Sequence, residues 1–171
     1  MLTFRPATIL DVPLIHTMIL QLAVFERLEH LVTSTPEKVQ ASLFPTDRQK
    51  AAPGYQQKTA FALLAMLGSE VVAFTIYFYN YSTFTGTHGL YVEDIFVLEE
   101  HRSGGIGEQV FRHLAGIALA NNCMRMEWSV LDWNVRARDF YKRLGSEEQN
   151  GWVGNRVDGD RLLALAKVRN K

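Results

Sequence analysis

The spacing of apolar residues changes several times along the chain, and each change predicts an element. "LTFRPA" alternates as a short strand. In "ILDVPLIHTMILQLAVFERLE", Ile15, Met18, Ile19, Leu22 and Phe25 then recur at helical spacing behind Asp11 and Pro13, residues suited to a first turn. A shorter helix is predicted over "TPEKVQASLF", where Thr35 caps, Pro36 opens and Glu37 follows in the first turn. The next stretch, "PTDRQKAAPGYQQK", is polar around Pro53 and Gly54 and reads as a surface loop rather than a linker between domains.

Strand-like sequence fills the middle of the chain. "AFALLAML" and "VVAFTIYFYNYSTF" are joined only by "GSE", which predicts a β-hairpin, and "GLYVEDIFVL" follows the loop "TFTGTHG" as a third strand. A helix is expected from about Gly105 to Ala120, then a strand in "CMRMEWSVL" and a helix in "NVRARDFYKRLG" closed by Gly145. A last strand is expected within "NRVDGDRLLALAK". The order is that of an α/β chain with an antiparallel front half.

Composition narrows the class. With 171 residues, 47% hydrophobic and 21% charged, the chain suits one compact domain with a full core. Eighteen Lys and Arg balance eighteen Asp and Glu, and a net charge of +0 argues against a nucleic-acid partner held by broad phosphate neutralisation. Cys123 is the only cysteine, so neither a disulfide nor a CxxC pair exists within the chain. His16 and His113 fall in helices, the other histidines are scattered, and no HxxxH pair occurs, so no metal is expected. The opening "MLTFRPATILDV" lacks the apolar run of a signal peptide, and no stretch reads as a membrane span. The expectation is a cytoplasmic protein with no membrane partner.

Glycines around a helix start point to chemistry. Gly104, Gly105 and Gly107 stand directly before an otherwise good helix in "HRSGGIGEQVFRHLA", an arrangement that leaves helix N–H groups bare for an anion, phosphate above all. The phosphate loop of nucleotide hydrolases, GxxxxGK[ST], is absent, and the dinucleotide fingerprint GxGxxG fails because Val110 stands at its third glycine.

Arg102, Gly105 and Gly107 do spell RxxGxG, which resembles the pyrophosphate-binding motif of the acetyl-CoA-dependent GNAT acetyltransferases. "YVEDIFV" is similar to that family's splayed central strand and "DWNVRARDFYKRLG" to its asparagine-to-tyrosine helix. With "LAVFERLE", these stretches most resemble the diamine (spermidine/spermine) and thialysine acetyltransferases. The resemblance implies a GNAT fold over the whole chain: a mixed, mostly antiparallel sheet flanked by helices, with a splayed central strand. It implies that acetyl-CoA lies along the backbone of Ile95, Phe96 and Val97. Arg102, Ser103, Gly104, Gly105, Ile106, Gly107 and Glu108 would cradle the pyrophosphate, with Asn134, Arg136 and Lys142 adding contacts. The family's habit of pairing implies a homodimer, which a single-chain mass by light scattering would oppose.

Acyl transfer from a thioester to an amine needs a neutral amine, stabilisation of the developing oxyanion and a proton for the departing thiolate. Tyr141 follows Asn134 by about two helical turns, so both share a face, and its phenol suits the proton donor. The alternative for Tyr141 is a core aromatic beside Phe140. Glu93 and Asp94 are adjacent on a strand, so they are expected to face opposite sides of the sheet. By the resemblance Glu93 faces the substrate, attracting its ammonium or accepting its proton through water, while Asp94 caps or pairs with a helix. Glu26, with Glu93 and Glu127, would form an acidic pocket for a second ammonium, and Phe25, Phe84 and Trp152 would line the acceptor site. Polyamine acetylators of this group are expected to carry an acid and a tryptophan in the loop where "YSTFTG" offers Ser82 and Phe84, which favours a shorter or zwitterionic amine. The expected reaction is N-acetylation of a small diamine or lysine-like amine by direct attack in a ternary complex. Two alternatives stay open: a non-catalytic acyl-CoA sensor, and acetylation of a protein lysine or N-terminus.

Overall fold

The computed structural model describes residues 1–46 and 60–167; most of the predicted polar loop, and the basic end of the chain, lie outside the described residues. Strands β1 (Leu2–Pro6), β2 (Phe61–Leu67), β3 (Glu70–Ser82), β4 (Thr87–Val97) and β5 (Met126–Trp128) form one sheet in that order. Pairing is antiparallel through β4, and β5 joins β4 in parallel, so the sheet is mixed and mostly antiparallel as expected.

Each face of the sheet buries its own apolar cluster. Helix α1 (Val12–Glu26) sets Val12, Ile15, Met18 and Leu22, with Val39 and Leu43 of α2 (Pro36–Leu43), against Leu64, Phe74 and Phe96. Helix α3 (Ile106–Ala120) sets Val110, Leu114 and Ala118 against Leu63, Val72, Leu90 and Val92 on the other face. The segment Ile9–Glu26 is long and apolar enough to cross a membrane, with mean hydropathy 1.5, which corrects the reading that no such stretch exists. Its apolarity has a local cause, since one stripe of α1 lies in the core. Arg5 of β1 anchors the entry to α1 by donating to both oxygens of Asp11, at 2.8 and 2.7 Å, while the N–H of Thr8 donates to Asp11 at 2.7 Å. The Arg5 guanidinium holds the Asp11 carboxyl well below the usual carboxylate range.

Two irregularities distinguish β4 from its neighbours. Ile76 pairs with Asp94 but Tyr77 with Val92, so Glu93 is the extra residue of a β-bulge. Side-chain parity reverses there: Leu90 and Val92 face the α3 cluster before the bulge, Ile95 and Val97 after it, while Phe96 and Leu98 face α1. The second irregularity is a split. β5 is shorter than "CMRMEWSVL" predicted and pairs only over Leu90–Val92, so β4 runs on to Val97 with no strand partner on that side among the described residues. Because the Leu98 N–H bonds the Val72 carbonyl of β3, alternation points the backbone groups of Ile95 and Val97 away from β3.

A compact unit from Met1 to Asn134 holds all of this, and a second begins at Val135. The second unit contains α4 (Val135–Arg143) and α5 (Gly159–Ala166). Arg138 ties α4 to the chain beyond Gly145 by donating to both oxygens of Glu148, at 2.8 and 2.9 Å. Helix α5 overturns the last predicted strand. "RLLALA" is composed of strong helix formers with no β-branched residue, and Asp158 stands at its N-cap, so local propensity decides in favour of helix.

Candidate active site

The loop before α3 is built around two left-handed residues. Ser103 has φ 70° and Gly105, the N-cap of α3, has φ 75°. The first intrahelical bond runs from the Gln109 N–H to the Gly105 carbonyl at 3.1 Å. Among the described residues, the N–H groups of Gly104, Gly105, Ile106, Gly107 and Glu108 have no hydrogen-bond acceptor. A Cβ built on Gly105 meets nothing within 4 Å, so the space beside it is clear. The side chain of Glu108 turns along the helix to Arg112, at 2.7 Å, and leaves its N–H as its contribution. A row of bare donors at the positive end of a four-turn helix has the chemistry to receive an anion of phosphate type.

Arg102, which begins the motif, turns the other way. Its Nε donates to the Val97 carbonyl at 2.9 Å, at the open side of the β4 split. Its guanidinium lies 4.9 Å from the Phe25 ring centre and 5.1 Å from that of Phe96. Phe25 also packs 6.3 Å from Trp133, whose ring carries Arg27 at 5.4 Å. These cation–π contacts hold the end of α1 against the end of β4.

That junction brings three carboxyl groups into one electrostatic neighbourhood. Asp94 is half-buried, and its carboxyl is pushed up to about 6 by burial first, then by Glu93 and by Glu26. Burial also raises Glu26 on the last turn of α1. Glu93 is exposed. The expectation that strand alternation separates Glu93 from Asp94 fails, because the bulge suspends the two-residue period where they stand. Thr75, a buried residue that sequence reasoning missed, donates its hydroxyl to the Asp94 carbonyl at 2.8 Å and so satisfies a backbone group beside the bulge.

Glu127 is already occupied: Asn80 Nδ2 donates to its Oε2 at 2.7 Å, and Arg125 Nε lies 2.8 Å from the same oxygen. Its charge is therefore compensated from within the fold. Phe84 is 91% exposed in the turn between β3 and β4. Asn134 closes the first unit, its N–H donating to Leu131. In the second unit Tyr141 is half-buried on α4 with its ring 5.3 Å from Phe140, Arg136 and Lys142 are exposed on the same helix, and Trp152 is 76% exposed. Asn80, Gly89 and Arg125 were also missed. A glycine in a strand interior was the available signal, since it marks a close approach of something else.

Residues 25–146 match the model of the Acetyltransferase (GNAT) family. The chain is 31% identical to L-ornithine N5-acetyltransferase of Arabidopsis thaliana, with 96% of this chain and 87% of that protein covered. It is 35% identical to thialysine N-epsilon-acetyltransferase of Mus musculus, over 87% and 88% of the two. Among solved structures, an integron cassette protein from the mobile metagenome of V. cholerae superposes with a TM-score of 0.76 over 98% of both chains at 22% identity, a likeness of fold.

Proposed function

Because this chain belongs to the GNAT family and is an acetyltransferase of amines, we propose that it moves the acetyl group of acetyl-CoA to the terminal primary amine of a small diamine or lysine-like acceptor. One observation carries this reading. A single strand–loop–helix unit, β4 to α3, pairs unpartnered N–H groups at the helix start with a cluster of carboxyl groups on the strand. The first suits a pyrophosphate and the second an ammonium. The names of the relatives support the same range of acceptors, since ornithine and thialysine are both amino acids with a terminal amine.

The residues divide the work. Bound acetyl-CoA would supply the acetyl thioester. The N–H groups from Gly104 to Glu108 would hold its pyrophosphate, and the outward backbone groups of Ile95 and Val97 would hold the pantetheine arm. An ammonium cannot attack a carbonyl, so the acceptor must first lose a proton. Glu93, exposed at the bulge, takes that proton directly or through water, while Asp94 and Glu26 supply negative potential beside it. Tyr141 donates a proton to the departing thiolate, a role worth about 10²–10⁴ in rate. Attack is direct, so no acyl-enzyme is needed and Cys123, buried under α3, stays out of the chemistry.

Thiol release from acetyl-CoA over ornithine, thialysine, lysine, putrescine and spermidine tests the proposal across about pH 7–9. Turnover with at least one small amine is expected. Tight acetyl-CoA binding with no turnover on any of them would overturn it.

A further inference from the structure

Helix α1 stops at Glu26, and the cluster beneath it reaches no farther along β3 than Ile76. The same sheet face continues past it. Leu90, Val92, Met126 and Trp128 pack on the α3 side, so their neighbours Gly89, Tyr91, Arg125 and Glu127 face the other way, as do their cross-strand partners Asn80 and Phe78. This half of the face is partly exposed and polar.

Arg125 is held there by its surroundings. A Cβ on Gly89 would stand 2.8 Å from Arg125 Cγ and 2.7 Å from Asn80 Oδ1, so glycine is what allows the arginine stem to lie across β4. The side chain crosses β4 at the level of Gly89, whose Cβ would also stand 3.2 Å from Arg125 Nε, on the face that alternation through Tyr91 carries on to Glu93. Nε lies 2.8 Å from Glu127 Oε2 but is not aligned to donate to it, and Asn80 Oδ1 is likewise buried without a partner. Among the described residues the terminal NH₂ groups make no hydrogen bond, and the side chain is 37% exposed. A positioned guanidinium with its fork free matches a carboxylate in a bidentate arrangement. From the level of Gly89 to Glu93 is four strand residues, roughly 13 Å before the bulge shortens it, which leaves room for a short aliphatic chain between an amine and a carboxylate with a hydrogen bond at each end.

We infer that Arg125 receives the carboxylate of the acceptor and makes the enzyme prefer a terminal-amine amino acid to the corresponding diamine. This rests on the amine acetylation proposed above. Glu127 tempers the arginine's charge and fixes its direction.

The test compares kcat/KM for ornithine against putrescine, and for lysine against lysinamide, in the unaltered enzyme and in two variants. The unaltered enzyme favours the carboxylate-bearing member of each pair by about tenfold or more, through KM. In Arg125→Gln that ratio falls toward one. In Glu127→Gln, which leaves the arginine in place and uncompensated, it rises. A ratio unchanged in both folded variants, or a wild-type preference for putrescine and lysinamide, overturns the inference while leaving amine acetylation standing. No acetylation of any of the four amines would instead overturn the reading on which it rests.

Discussion

Two regions around the β4–α3 stretch differ in kind, and on the proposed function they would recognise opposite charges by opposite means. The segment from Gly104 to Glu108 offers backbone N–H groups and a helix dipole, which carry the same polarity at every pH. Glu26, Glu93 and Asp94 offer carboxyl groups whose charge depends on pH and on one another. On the proposed function the difference follows from the ligand each would hold. A pyrophosphate is anionic throughout the physiological range, so a fixed receptor suffices, whereas an amine must be attracted as a cation and then deprotonated. Titratable groups belong only at the second task.

The largest expected effect separates chemistry from both regions. Tyr141→Phe should lower kcat by about 10²-fold or more while calorimetry shows acetyl-CoA affinity retained, because a proton donor acts in the transition state. Unchanged turnover would remove the phenol from the mechanism. Next comes the fixed receptor itself: Gly105→Val places a β-branched residue at φ 75° and covers the bare donors, and should weaken acetyl-CoA binding by roughly tenfold to a hundredfold. Undiminished affinity in that variant would show that the donors hold nothing.

The acidic region should respond to pH where the cradle does not. Asp94 is neutral below about pH 6 and ionised above it, so KM for the amine should rise as pH falls through 6 and this limb should flatten in Asp94→Asn, with KM for acetyl-CoA unaffected. Its stability signature has a definite sign. A carboxyl raised from 3.8 to about 6 binds its proton more tightly in the folded state, so stability falls as pH rises through that window. Asp94→Asn should therefore melt higher than the parent at pH 7, by about 1–3 kcal/mol of stability, with the gain gone below about pH 4. Asp11 provides the smallest effect and the opposite slope. Its carboxyl is depressed by Arg5, so its contribution is present above the ordinary carboxylate range and lost in acid, and Asp11→Asn should cost about 1 kcal/mol at pH 7. Denaturant melts at pH 7 and 4 would check the sign for Asp94, and melts at pH 4 and 2 the sign for Asp11.

Much of the fold and of the anion receptor is legible in the amino-acid sequence. The period changes locate β1 through β4 and α1 through α4, and the glycines before Ile106 predict the bare helix start, because all of these are consequences of local sequence. The features that sequence does not announce depend on register. Nothing in "YVEDIFV" signals that Glu93 is the residue left over when β3 and β4 align, since a bulge is a property of two strands together. The occupied state of Glu127 is hidden for the same reason, as Asn80 lies 47 residues away in sequence and meets it only across the sheet. The last predicted strand fails differently: its place in the expected order favours a strand, but the helix propensity of "RLLALA" outweighs that order.

The bulge at Glu93 also sets how the gene for this protein can vary. Removing the Glu93 codon would leave the strand beyond it facing as it does now, since Ile76–Asp94 and Tyr77–Val92 are already successive pairs, and would cost only the bulge and its carboxylate. Phe96 and Leu98 would still face α1, and Ile95 and Val97 would still face α3. The bulge is thus the place where β4 can lose a residue without turning its core side chains over, so the length of the strand is free to change there and nowhere else along the β3–β4 ladder.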